Sequence, residues 1–143
     1  MKRSQDIEQL LRSFVEALNR GDIAYLERWT SREPGLVVIG SDPREYLRDY
    51  KRVIDLLRES TPEGGMHIHL RFAELHGYEH DEVGWADGIG AFQRDGESVD
   101  VRITAVFVRE RGEWRMVQNH ASIGVPNDRM FDPVFRSVPA ATG

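Results

Sequence analysis

The chain has 143 residues, 40% hydrophobic and 30% charged, with 19 Lys plus Arg against 24 Asp plus Glu for a formal net charge of −5. That length allows one sizeable core without staples, and the acidic balance argues against a surface that tracks nucleic-acid phosphates. Cysteine is absent, which excludes a disulfide framework, a thiolate metal site and a thiol nucleophile.

Taken in order, Ile7, Leu10, Leu11, Phe14, Val15 and Leu18 recur at helical spacing, and Gly21 follows as a stop signal. Asp22 is placed to cap a second, shorter helix bearing Ile23, Leu26 and Trp29, which Pro34-Gly35 ends. Leu36–Ile39 is a short apolar strand closed by Gly40-Ser41. Asp42-Pro43-Arg44-Glu45 has the form of a capping box, Asp at the cap and Glu three residues on, opening a third helix with Tyr46, Leu47, Tyr50, Val53, Ile54 and Leu57. That helix stops before Pro62 and Gly64-Gly65. From Met66 to about Gly124 the chain reads as four strands with tight turns. The expectation is one α+β domain over residues 1–125: three helices packed on a curved, mostly antiparallel sheet. A tail over 126–143 is expected to dock through Phe131, Val134 and Phe135. No apolar run reaches membrane-spanning length, so neither leader nor anchor is expected and the cytoplasm is the default location.

The turns set the register. Arg94-Asp95-Gly96-Glu97 suits a two-residue hairpin, placing Ile89 opposite Arg102, Asp87 opposite Thr104 and Trp85 opposite Val106. Reading Glu110-Arg111-Gly112 as a three-residue loop places Val106 opposite Met116, Thr104 opposite Gln118 and Arg102 opposite His120. One face then carries Trp85, Asp87, Ile89, Arg102, Thr104, Val106, Trp114, Met116, Gln118, His120 and Ser122, and is expected to wrap the helices. The other carries Gly84, Ala86, Gly88, Gly90 and small or apolar partners, and is expected to form a homodimer interface.

On the first face Asp87 is the acid/base candidate, raised by burial and lowered by Arg102, though the same pair equally describes a structural brace. His120 is placed to exchange protons or orient a carbonyl, and Arg102 to hold a carboxylate or a developing enolate oxygen. Thr104 and Gln118 are supporting donors, while Trp29, Tyr50, Trp85 and Met116 are candidate apolar walls. His67-x-His69 has a spacing compatible with metal, but it alternates with Met66, Ile68, Leu70 and Phe72 and lacks a third ligand, so no metal is expected. Gly88-Ile89-Gly90 lacks the rest of a dinucleotide fingerprint, no cofactor is expected, and Ser122 is an ordinary strand-end serine.

The order helix–helix–strand–helix and a four-strand meander ending Trp114-x-x-x-x-x-His120-x-Ser122, together with Gly35–Glu45 and Arg102-x-Thr104, resembles the SnoaL-like branch of the nuclear transport factor 2-like superfamily. The resemblance implies a cone-shaped α+β barrel, usually dimeric, with a pocket inside. It also implies a range of activities: isomerases of the ketosteroid type, polyketide cyclases, dehydratases, and non-catalytic ligand-binding or association domains. Relatives often carry a catalytic carboxylate near Asp42, but Leu36–Ile39 holds none here and helix one presents Phe14 rather than tyrosine. Two expectations follow: a cofactor-independent isomerase, cyclase or dehydratase acting on a small apolar carbonyl or hydroxyl compound, or a non-catalytic ligand-binding or dimerisation module.

Overall fold

Ser4 begins helix α1 (Gln5–Arg20): its hydroxyl oxygen accepts the Ile7 N–H at 3.2 Å, and Gly21, at φ 77°, closes the far end onto the Ala17 and Leu18 carbonyls. The computed structural model describes residues 1–136. Asp22 caps α2 (Ile23–Trp29) through the Tyr25 N–H at 3.1 Å, as expected. The strands are β1 (Lys2–Arg3), β2 (Val37–Ile39), β3 (Tyr46–Leu47), β4 (His69–His80), β5 (Val83–Arg94), β6 (Glu97–Glu110) and β7 (Glu113–Ser122), and α3 spans Tyr50–Glu59. Among the described residues they form one sheet in the order β1-β4-β5-β6-β7-β2-β3. Every pairing is antiparallel except β2 with β7. The sheet is curved and not closed into a barrel, and the three helices lie on one side of it.

The third helix starts later than the sequence suggests. Asp42–Glu45 makes half of the expected capping box, with Glu45 Oε2 accepting the Asp42 N–H at 3.1 Å, but no helix follows. Gly40 N–H instead reaches the Glu45 carbonyl at 2.8 Å, so the segment is a hairpin turn leading into β3. Strand geometry wins because it buries Leu47 while leaving Tyr46 outside. Asp49 takes over the cap of α3, accepting the Arg52 N–H at 3.1 Å.

The β5–β6 hairpin has the register expected, with Ile89 on Arg102, Asp87 on Thr104 and Trp85 on Val106. The β6–β7 hairpin does not. Arg111 and Gly112, at φ 54° and 81°, form a two-residue turn between paired Glu110 and Glu113. Val117 is then an extra residue: Phe107 faces Met116 and Val106 faces Gln118, with nothing opposite Val117. The pairs become Thr104 with His120 and Arg102 with Ser122.

The expected orientation of the sheet is also reversed. The small-residue face, with Ala86, Val101, Ile103, Ala105 and Phe107 buried, meets the helices, while Asp87, Ile89, Arg102, Thr104, Gln118 and His120 face outward and are exposed. The bulge at Val117 brings Trp114 and Met116 onto the buried side despite their numbering. The cause of the reversal is close approach of helix to sheet. A Cβ on Gly77 would lie 2.7 Å from the Glu8 nitrogen and from the Ser4 oxygen, and one on Gly84 would strike Ile7. Small residues on this face are therefore seats for α1, not a surface for a second copy. A side-chain amide fixes the other end of the helix: Asn19 Nδ2 donates to the Leu70 carbonyl at 2.8 Å and its Oδ1 accepts the Leu70 N–H at 2.9 Å. Within the described part of the tail, Phe131, Val134 and Phe135 do not dock: they are 76%, 80% and 50% exposed. Residues 137–143 of the expected tail lie outside the described residues.

Candidate functional site

Seating α1 on β4 and β5 at Gly77 and Gly84 brings its first turns hard against the sheet, and the space left beside its second half is a cavity of about 530 Å³. Phe14, Val15 and Leu18 of α1 form one wall, and Leu56 and Leu57 of α3 another. Val38, Leu70, Phe92, Ile103 and Ala121 form the sheet side, with Met66 and Ile68 at the approach to β4. An apolar cleft of this size with few polar groups is the usual form of a small-molecule site. A larger depression of about 740 Å³ lies beside His67, His69, Arg71 and the Arg94–Glu97 turn, but its lining is polar and it opens broadly to solvent. It lacks the apolar walls that hold a small ligand.

Besides Ser60 at the end of α3, the polar groups of the cavity come from two places. Asn119 projects from β7, which pairs Val38 with Asn119 on one side and Ala105 with Asn119 on the other. Its amide makes no hydrogen bond to protein among the described residues, leaving a donor and an acceptor for a guest. The second source is the β2–β3 turn, which brings Asp42, Arg44 and Glu45 to the mouth, with Glu59 from α3 nearby. The Glu45 side chain folds back over Gly40, where any Cβ would collide with it.

Asp42 is tied down. Arg44 Nε donates to Oδ1 and Nη2 to Oδ2, each at 2.9 Å, and the Arg44 backbone N–H donates to Oδ1 at 2.8 Å. The guanidinium bonds first, and the N–H after them, hold the carboxyl at a pKa of about 2. A carboxylate so far below neutral pH is a poor proton acceptor and is never a proton donor there. The shift also links to pH: a carboxyl lowered in the folded state contributes stability above its ordinary value of 3.8, and that contribution is lost as pH falls toward 2. In the Arg44→Ala variant the Asp42 titration followed by carboxyl NMR is expected to move upward toward its ordinary range. An unmoved midpoint would show that the N–H bond alone sets it.

The residues singled out from sequence lie elsewhere. Asp87 and Thr104 pair across the outer face in a row that runs His76, Asp87, Thr104, His120 over four strands. No ion pair joins Asp87 to Arg102 among the described residues; Arg102 pairs across with Ile89 and Ser122 and lies near Gly124. Trp85 stacks on Tyr78 at 6.1 Å in the adjacent outer row, which Val106 and Gln118 continue. Met116 is 1% exposed and belongs to the core. Trp29 sits between Arg28 and Arg115, at 5.3 and 5.5 Å from its ring. Tyr50 donates to the Glu27 carbonyl at 3.0 Å beneath Arg32, and burial pushes its phenol upward. None of these nine residues lines the cavity. His67 and His69 are both exposed, but they do not share the strand face that their alternation suggests: His69 opens β4, while His67 precedes it at φ 49°.

Asn119 was legible in principle. Apolar residues occupy even positions at Trp114 and Met116 but odd ones at Ala121 and Ile123. Such a phase change within one strand is the mark of a bulge, and it turns Asn119 inward in place of Gln118 and His120.

The profile of the SnoaL-like domain family matches residues 7–126. A nuclear transport factor 2-like protein of unknown function from Pseudomonas putida KT2440 superposes with a TM-score of 0.72 at 12% identity, over 99% of this chain and 100% of that one. A candidate dehydratase of the same family from Streptomyces avermitilis gives 0.71 at 18% identity, over 85% and 97%. The association domain of C. elegans CaMKII gives 0.62 at 14%, over 82% and 93%. At these identities the likeness is one of fold. No curated protein matches the chain by sequence.

Proposed function

The chain belongs to the SnoaL-like family of the nuclear transport factor 2-like superfamily, and from that premise we propose that it holds one small, predominantly apolar carbonyl or hydroxyl compound between α1, α3 and the sheet. The observation that carries this reading is the cavity of about 530 Å³, mostly apolar on its walls, with polar groups at Asn119, Ser41, Ser60 and the charged mouth. Chemistry there is cofactor-independent proton transfer: isomerisation, cyclisation, or the dehydration for which the Streptomyces avermitilis relative is a candidate. Asn119 holds the carbonyl or hydroxyl oxygen. Glu45 moves the proton, because Arg44 is committed to Asp42 and Glu45 accepts only a main-chain N–H, from Asp42, among the described residues. Native mass spectrometry of the purified protein identifies the guest, and turnover of that guest by wild type and Glu45→Gln tests the chemistry. A loss of about 100-fold or more in rate is expected for a lost general base; an unchanged rate removes Glu45 from the reaction.

The second reading is a binding module without catalysis, and the observation favouring it is Asp42, the carboxylate nearest the familiar catalytic place, locked to Arg44. Both readings have the chain form a homodimer through its outer sheet face. Tyr78, Trp85, Val106 and Val108 are only half-exposed there, and Ile89 is 50% exposed. A second copy laid on this face would bury the row His76, Asp87, Thr104, His120 at its centre. A proton-transfer role for Asp87, Arg102 and His120 requires that covering copy, which alone makes their surroundings enclosed. No described helix is long and apolar enough to cross a membrane.

A further inference from the structure

The mouth of the cavity is charged, and unevenly. Asp42, Glu45 and Glu59 stand at it against one guanidinium, Arg44. Arg44 gives both its 2.9 Å side-chain bonds to Asp42; Glu45 feels its charge without a bond and accepts the Asp42 N–H, and Glu59 has no ion pair among the described residues. Arg52 stands farther out, in the groove by which the cavity meets the surface, together with Asp55. Asp55 is itself engaged by Lys51 at 2.9 Å. Acid therefore outnumbers base along the whole entry. The inner walls, Phe14, Leu18, Leu57, Phe92 and Ile103 among them, contribute no charge to offset it.

The site is the cavity; the rim decides what enters. A carboxylate or phosphate carried into an apolar cleft loses hydration and meets like charge at the half-buried Glu45 and the exposed Glu59. An ammonium group at the same depth meets two partners, and a hydroxyl is indifferent to the sign. We propose that the cavity selects an apolar molecule bearing an amine, with its ammonium at Glu45 and Glu59 and its hydrophobic body against α1 and α3. This rests on the ligand-pocket reading above, not on Glu45 as the proton carrier, and adds the chemical class of the guest.

Three isosteric probes separate the two ideas: 1-naphthylmethylamine, 1-naphthylmethanol and 1-naphthoate, titrated calorimetrically into the full chain at pH 7 and low salt. The expected order is amine, alcohol, carboxylate. Successive steps are about tenfold, the size of one favourable or unfavourable charge contact at a partly solvated site. The double variant Glu45→Gln with Glu59→Gln is expected to bring amine and alcohol to equal affinity. Should that variant not fold, raising the salt with wild-type protein reads the same quantity: amine affinity falls severalfold while alcohol affinity holds. Naphthoate bound as tightly as the amine overturns the amine selection and leaves the pocket standing. Amine binding that neither the variant nor salt weakens also overturns it. Failure of all three probes to bind overturns the pocket reading and the selection together.

Discussion

Ala121→Trp is expected to abolish uptake of an apolar guest. Ala121 lies on β7 two residues beyond Asn119, pairs with Ile103 on β6, and lines the cavity from the sheet side. An indole there enters the cavity that Phe14 and Leu57 also line and fills space that a ligand would need. Affinity for 1-naphthylmethanol, measured by calorimetry, is expected to fall by about 100-fold, or ~3 kcal/mol. The domain itself should tolerate the change, because the added ring enters a void and not a packed core. His120→Ala, on the opposite face of the same strand, is the matched control and should bind as wild type. Unchanged binding by Ala121→Trp would show that the guest sits elsewhere.

The second large effect concerns one residue that makes no functional contact. Deleting Val117 removes the bulge and joins the two halves of β7 into a plain alternation. Either Trp114 and Met116 must then turn to solvent, or Asn119 and Ala121 must leave the cavity. Exposing the first pair forfeits roughly 1.5–3 kcal/mol for each of the two side chains, and their sum takes a large share of the stability of an ordinary domain. The deletion is expected to unfold the protein, seen as loss of the cooperative transition in urea. Val117→Ala keeps the residue count, and with it the register, so it should lower the midpoint only slightly. If the deletion variant folds with normal stability, the bulge does not decide which side chains face inward.

Much of the architecture was legible. Helix α1 was visible from its apolar spacing and Gly21, α2 from Asp22, and the β5–β6 register from Asp95-Gly96, because each is set by contacts within a few residues. The family resemblance was legible for the same reason: the order of elements is a local property repeated along the chain. The third helix was misplaced at its start, since Asp42–Glu45 has the same residues in a hairpin turn as in a capping box. Only the pairing of Tyr46–Leu47 with β2 distinguishes the two.

The candidate site was not legible in the same way. Alternation divides a strand into two faces but carries no sign saying which faces inward. Asp87, Arg102 and His120 were grouped correctly on one face, and that face proved to be the outer one. The sign is set by α1, which comes close enough to β4 and β5 that only Gly77 and Gly84 fit beneath it. By itself, then, the sequence determined the fold family, most of the elements (though not the short strands β1 and β3) and the membership of each face on β5 and β6, through short-range periodicity and turn chemistry. Tertiary structure decided which face encloses the cavity, and through the bulge at Val117 and the turn at Asp42–Glu45 it decided that Asn119, Glu45 and Arg44 stand at it. Those choices rest on contacts between segments far apart in the chain, where local pattern carries no information about who lies opposite whom.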